Sequence, residues 1–504
     1  MVLTFEAFRK KVQGCWDGKN AGGNLGAPKE GYRGVFDFNG YLQQADQKPL
    51  PNDDLDLQLV WLNAAERYGR SLNASILAEY WLNCIIPDWS EYGQGKSNLR
   101  AGIVPPLSGH TENLFEHSNG AFILSEIWAC LNPGYPQKAA AMAYEDACVN
   151  HSGEGLYAAV FCAAVESAAF AESDTRRLIS IGLSYIPENC GVSCGVRCAM
   201  DAYDSGLSWQ QARKKVLQTV PGSFGALVTP VEEFEPDEPL GERGYDAPSN
   251  IGIMVIGWLY GEGDFGNSIC IAANCGEDTD CTAGTLGAIL GIIHGSEYMG
   301  EKWLAPLGGN IETLCIDRTK YDINIPSTTM ELTDRILRLA PVFLDRDACR
   351  FSIDAPGYNI FIPEESLYCS GRRLGPWNTV EFQELLDESP DTVRYSTALF
   401  DVRLRYDGGI GIEPGTAKSM ELAVANKWAI QQWIDIRWVL PEGWEIQPGP
   451  CRRISLEQSC NLPDSKATFT LVPGTLTQPV YELFVRISSV GHPTSMVIPV
   501  RLFV

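Results

Sequence analysis

The sequence predicts an all-α body followed by an antiparallel β-sandwich, on three observations. Up to about residue 340 the chain is rich in Ala, Gly and Leu at helical periodicity. After about residue 345 apolar and polar residues alternate. Turns rich in Gly, Pro and Asp separate those alternating runs. The expected division is a catalytic helical domain over residues 1–341 and a β-domain over 342–504, in which 342–380 serves as linker plus first strands.

The helices come first. Pro136 to Cys148, Leu156 to Phe170 and Thr282 to Ile293 are apolar or small around most of their circumference. Such segments are buried inside a large α body rather than laid on its surface. Gly284, Gly287 and Gly291, at spacings of three and four, let a neighbouring helix approach closely. An amphipathic helix is expected from Leu55 to about Tyr68, with Asn52 as its N-cap.

The strands come second. Thr392 to Tyr406, Ile434 to Leu440, Lys466 to Val472 and Tyr481 to Ile487 have the period of two of a half-buried strand. Pro441-Glu442-Gly443 and Pro473-Gly474 supply turns. Short strands at this spacing predict a sandwich. Trp433, Trp438 and Trp444 are read mainly as sandwich core, with sugar platforms as the alternative.

Bulk properties narrow the function. The 504 residues carry a net charge of -24, with 45% hydrophobic and 20% charged residues. That charge opposes nucleic acid and anionic membranes and attracts divalent cations. No run of about 18 apolar residues suggests a membrane span, and the first residues lack the apolar stretch of a signal peptide. The 16 cysteines are scattered and read as reduced thiols of a cytoplasmic protein.

Three motifs are set aside. Gly261 to Gly266 fits G-x-G-x-x-G, but lies among helices rather than in a βαβ unit. Gly191 to Gly195 fits G-x-S-x-G, but Pro187-Glu188-Asn189 precedes it where a nucleophile elbow needs a strand. His294 and His492 qualify as bases only by their order. Cys190, Cys194 and Cys198 make one stripe of a helix rather than the tighter pairs of a metal site.

Two acidic clusters carry chemistry. Asn52-Asp53-Asp54 opens a helix, where carboxylates also suit the dipole. Asp278-Thr279-Asp280 opens an almost uncharged helix. Burying two like charges there is costly unless a cation compensates them. Carboxylates suit hard ions.

The ordered set of motifs resembles the ADP-ribosylglycohydrolase family. Gly22 to Glu30 is similar to its Gly-rich run ending in Glu, and Asn52-Asp53-Asp54-Leu55 to its Thr-Asp-Asp-Thr. Ser118-Asn119-Gly120 is similar to its Ser-x-Gly segment, Asn150-His151-Ser152-Gly153 to its His-bearing helix start, and Asp278-Thr279-Asp280-Cys281 to its late Asp-x-Asp-Thr. The likeness covers residues from about 10 to 340. Asn52 and Cys281 stand where the family has threonines, Gly23 where it has Asp, and Leu124 near the place of an Arg.

The resemblance implies metal-dependent hydrolysis at C1 of a ribofuranosyl or related pentofuranosyl group. Asn52, Asp53, Asp54, Asp278, Asp280 and Cys281 are then the metal residues. One or two Mg²⁺ ions are expected, with Mn²⁺ or Ca²⁺ as alternatives. Glu30, Asp54 and Asp278 are the catalytic residues, while Ser118, Asn119, Gly120, His151 and Glu154 line the sugar. The substrate is a small-molecule or protein-linked sugar, and the β-domain offers a surface for a homodimer. The alternatives are a hydrolase of non-nucleotide glycosides and a catalytically silent relative that binds metal or ligand.

Overall fold

The computed structural model describes residues 1–42, 48–222, 244–351, 357–369, 391–428, 430–457 and 464–504. Among them, all sixteen α-helices lie between Phe5 and Phe343, and strands dominate the chain beyond Phe343. The predicted order of an all-α body and antiparallel sheets is therefore observed. No described helix is long and apolar enough to cross a membrane.

Two helices form the axis of the body, and small residues dictate how they meet. Helix Phe5–Gly26 lies against helix Thr279–His294. Gly14 faces Gly291, Gly18 faces Gly287 and Gly22 faces Ala283. A Cβ added at Gly22 would lie 2.0 Å from the Ala283 carbonyl oxygen. The glycines expected to permit a close neighbour thus meet a second small-residue stripe, and the backbones touch. The contact ends with Gly26 against Thr279 and Asp280, where the Thr279 hydroxyl donates to the Gly26 carbonyl at 2.7 Å. The Gly-rich run and the late acidic pair are neighbours for this reason. Around the axis, Trp16, Trp61, Trp81 and Trp128 are fully buried.

The predicted helices extend over Pro136–Ala147, Gly153–Ala169, Thr279–His294 and Asp53–Tyr68. The motifs set aside are structural. Gly261–Gly266 spans the turn between helices Ala247–Tyr260 and Phe265–Asn274. Gly191 opens helix Gly191–Asp204, and the Ser193 hydroxyl donates to the Pro187 carbonyl. Cys194 and Cys198 pack against the core.

The first strand, Val2–Leu3, pairs with Tyr358–Phe361, which pairs in turn with Cys349–Phe351. The Tyr135 hydroxyl donates to the Phe361 carbonyl, and Ser366 Oγ donates to the Gly134 carbonyl at 3.0 Å. These contacts rest the small sheet and the turn at Ser366 on the helical body.

Beyond residue 391 two sheets pack face to face. One contains Thr392–Ser396, Phe400–Tyr406, Lys418–Asn426, Ser465–Val472 and Glu445–Gln447, in that spatial order. The other contains Ser495–Phe503, Val480–Ser489, Gln432–Val439 and Cys451–Leu456. Every pairing is antiparallel. Alternate residues such as Val402, Leu404, Ile434, Ile436, Leu483 and Val485 are buried, as a period of two requires. Trp438 meets Phe469 across the gap with ring centroids 5.4 Å apart. Trp444 is also buried, against Tyr481, whereas Trp433 is half exposed. The single run expected from Thr392 to Tyr406 is a hairpin. Thr397 folds it back by exchanging hydrogen bonds with the backbone of Phe400, a turn without Gly or Pro.

A buried polar knot ties the sandwich to the helical body. Glu79, fully buried on helix Ala74–Cys84, pairs with His492 at 2.6 Å and accepts from the Thr494 hydroxyl at 2.9 Å. The Tyr321 hydroxyl meets His492 Nδ1 at 2.9 Å. Trp428 stacks on Tyr68 beside this knot. His492 serves this contact.

Candidate active site

The two acidic clusters, distant in sequence, line one cavity of about 490 Å³. Glu30, Asn52, Asp53, Asp54, Asn119, Gly120, Asp278, Asp280 and Cys281 are all on its wall.

A strained turn aims the second cluster. Gly276 and Glu277 both have positive φ, 74° and 67°, which is costly for a residue with a Cβ. Glu277 is held there by a buried ion pair with Arg33 and by hydrogen bonds from the Gly244 N–H at 2.7 Å and to the Tyr32 carbonyl at 2.9 Å. Asp278 then occupies the N-cap position of helix Thr279–His294, yet its side chain makes no capping bond. Its backbone N–H is held by Asn250 Oδ1 at 3.1 Å. The carboxylate is left to face the cavity.

Asp278 Oδ2 accepts from Asn119 Nδ2 at 2.9 Å, and Asp280 Oδ2 accepts from Asn52 Nδ2 at 3.2 Å. Asp278 Oδ1, Asp280 Oδ1 and Asn119 Oδ1 are buried and accept no hydrogen bond. One oxygen each from Glu30, Asp278 and Asp280 lies within 4.8 Å of the others. Buried oxygens of like charge without donors fit a hard divalent ion. The titration directions follow from this crowding. Burial first, then the Asp280 and Glu30 charges, pushes Asp278 well above the usual carboxylate range. Glu30, exposed at the mouth, is pushed up to about 9, mainly by the Asp280 charge and then by desolvation.

The first cluster is built otherwise. Asn52 caps helix Asp53–Tyr68, its Oδ1 accepting from the Asp54 N–H at 2.7 Å. Its amide nitrogen lies where a side chain at position 23 would be, 2.7 Å from the Cβ that Gly23 lacks. The two departures at positions 23 and 52 therefore fit each other. Asp53 accepts from the Tyr92 hydroxyl at 2.8 Å and is pushed up to about 6 by burial and then by Asp54. Asp54 has partners on both sides. Cys281 Sγ donates to its Oδ1 at 3.4 Å, and Lys19 Nζ lies 3.3 Å from its Oδ2. Asp54 is pushed up to about 7, chiefly by burial, with Lys19 pulling the other way. Asp54, Asp280 and Cys281 form the second group of potential ligands.

Of the expected sugar-lining residues, Asn119 and Gly120 reach the cavity, but the others lie behind it. His151 is wholly buried, bonded to Ser118 Oγ and Asn150 Oδ1 at 2.9 Å each, and burial pushes it down to about 3. It supports the Gly120 segment as a neutral ring. Glu154 uses its carboxylate to cap helix Gly191–Asp204, accepting from the N–H groups of Gly191 and Val192 at 2.8 and 2.9 Å. Leu124 is a core residue.

Sequence reasoning missed Lys19, Glu126, Glu91, Tyr92, Trp89 and Tyr245. Of these, Glu91, Tyr92, Trp89 and Tyr245 line the cavity. Lys19 Nζ lies 2.9 Å from Glu126 Oε1, completing a buried Asp54–Lys19–Glu126 row. Burial alone would lower the Lys19 pKa, but Glu126 and Asp54 outweigh it and raise it. A signal was present, because Glu126 interrupts the apolar run Phe122 to Leu131 and Lys19 sits among glycines. An isolated charge in such a run demands a buried partner.

Fold and cavity together define a helical body that gathers buried carboxylates at one cavity. A family model described as ADP-ribosylglycohydrolase matches residues 4–339. This chain belongs to the ADP-ribosylglycohydrolase family. A solved structure titled "ADP-ribosylglycohydrolase-related protein complex" is similar at 15% identity and a TM-score of 0.41, covering 67% of this chain and 100% of that one. No curated protein matches.

Proposed function

We propose that this chain is a metal-dependent glycoside hydrolase that cleaves the C1 bond of a ribofuranosyl or related pentofuranosyl substrate. The observation that carries this reading is the pair Asp278 and Asp280, buried together with unpartnered oxygens at the wall of a cavity. Glu30, Asp278 and Asp280 would hold a hard ion such as Mg²⁺ or Mn²⁺. Bound there, such an ion aligns a sugar diol and makes water more acidic.

The chain's own groups account for the rest. C1 cleavage passes through an oxocarbenium-like state, which the surrounding carboxylates stabilise by charge. Glu30 stands at the mouth, where it can orient water and accept its proton. Asn119 and Gly120 shape the sugar side, and Trp89 and Tyr92 give an aromatic wall.

Among the described residues, no Lys or Arg lines the cavity. This favours, as a second reading, a non-nucleotide pentofuranoside over a substrate whose diphosphate needs cationic partners. Hydrolysis of ADP-ribosylated peptide and of aryl pentofuranosides, with Mg²⁺ or with chelator, tests both readings. Turnover of either class that chelator stops is the expected result. Asp278→Ala should lower it by roughly 100- to 1,000-fold in a folded protein. Unchanged turnover by that variant would refute the assignment.

A further inference from the structure

The Asp54 side of the cavity carries its own positive charge. Lys19, on helix Phe5–Gly26, is 2% exposed. Its ammonium meets Asp54 Oδ2 at 3.3 Å, Glu126 Oε1 at 2.9 Å, the Ile123 carbonyl at 3.0 Å and Thr285 Oγ1 at 3.3 Å. Glu126 is in turn fixed by Gln58 Nε2 at 2.8 Å. The lysine is therefore locked in place, with two carboxylates and two neutral oxygens around it.

We propose that Lys19 is a built-in cation that replaces a second metal ion, so that this chain holds one divalent ion at Glu30, Asp278 and Asp280. The inference rests on the metal-dependent reading above. Three observations separate the two sides. Asp54 Oδ1 accepts from a thiol, and its Oδ2, which accepts no hydrogen bond, lies 3.3 Å from the Lys19 ammonium, whereas Asp278 Oδ1 and Asp280 Oδ1 accept no hydrogen bond and, among the described residues, no cationic side chain is paired with either. The second group of potential ligands would need Cys281 beside Asp54 and Asp280, and a thiol is a poor partner for a hard ion. A fixed ammonium on Asp54 also repels a divalent ion on the same carboxylate.

Lys19 is thus a positioning residue. It holds Asp54 in place and neutralises it without entering the cavity wall.

The test counts ions. The full chain is dialysed against Mn²⁺, bound metal is measured by elemental analysis, and electron paramagnetic resonance reads whether the ions are magnetically coupled. One Mn²⁺ per chain with an uncoupled spectrum is expected. Two ions per chain would overturn the role of Lys19 while leaving a metal hydrolase intact. No bound ion would overturn the metal reading and this inference with it. The double variant Lys19→Met with Glu126→Gln removes the ammonium without leaving Glu126 bare. It should take up a second Mn²⁺, and a count that stays at one would overturn the assignment.

Discussion

The two sides of the acidic cavity solve the same electrostatic problem differently. On the Asp54 side the chain supplies the counter-charge itself, through Lys19, and shares it with Glu126. On the Asp278 side it supplies only neutral donors, Asn119 and Asn52, to one oxygen of each carboxylate. The first arrangement sets a buried cation against its carboxylates within the protein. The second leaves Asp278 Oδ1 and Asp280 Oδ1 without a donor, and on this difference the proposed cation site rests.

The largest expected effect contrasts the two sides directly. Lys19→Met strips the counter-charge from buried Asp54 and Glu126, so it should cost about 3 kcal/mol of stability. Asp278→Asn removes one of two crowded like charges, so it should raise the melting temperature of the metal-free chain. Thermal unfolding in chelator reads both, and a shift of the same sign in both variants would erase the distinction.

Next comes the axis that brings the sides together. Gly22→Ala forces a methyl group into the Ala283 carbonyl, at a cost of about 2 kcal/mol. Because the same contact seats Asp280 beside Gly26, affinity for Mn²⁺ should fall as well. An unshifted denaturation midpoint would show that the helices are not in backbone contact.

A smaller effect is expected from pH. Asp53 at about 6, Asp54 at about 7 and Glu30 at about 9 all lie above their unfolded values. The native metal-free chain therefore binds more protons than the unfolded one between about pH 4 and 9. This stability is full below about pH 4 and is lost as pH rises through about 6 and 7 toward 9. Melting in chelator should move downward from about pH 5 to about pH 8, and saturating Mg²⁺ should remove much of that slope. The smallest effect is at Trp433. It is half exposed on the sandwich, so Trp433→Ala should change stability by less than about 0.5 kcal/mol and leave glycoside turnover unaltered.

Much of this was legible in the sequence because it depends on local period and local charge. The change from helical to alternating texture marks the two architectures, and an acidic pair before an apolar helix marks Asp278 and Asp280. Other features depend on contacts between distant segments. Nothing near Glu154 in sequence shows that its carboxylate caps Gly191, since that helix start is 37 residues away. Nothing near His151 shows that Ser118, 33 residues earlier, bonds its ring. Lys19 shows only as a charge among small residues, and its partners lie 35 and 107 positions further along the chain. The hairpin at Thr397 escaped because a side-chain hydroxyl makes the turn without Gly or Pro.

The proposed cation site lies between Glu30, Asp278 and Asp280. Anomalous diffraction from crystals of the full chain soaked in Mn²⁺ tests it most directly. One strong peak in the cavity, in contact with Asp278 and Asp280, is expected. No peak there, or a peak seated on Asp54 and Cys281 instead, would contradict it.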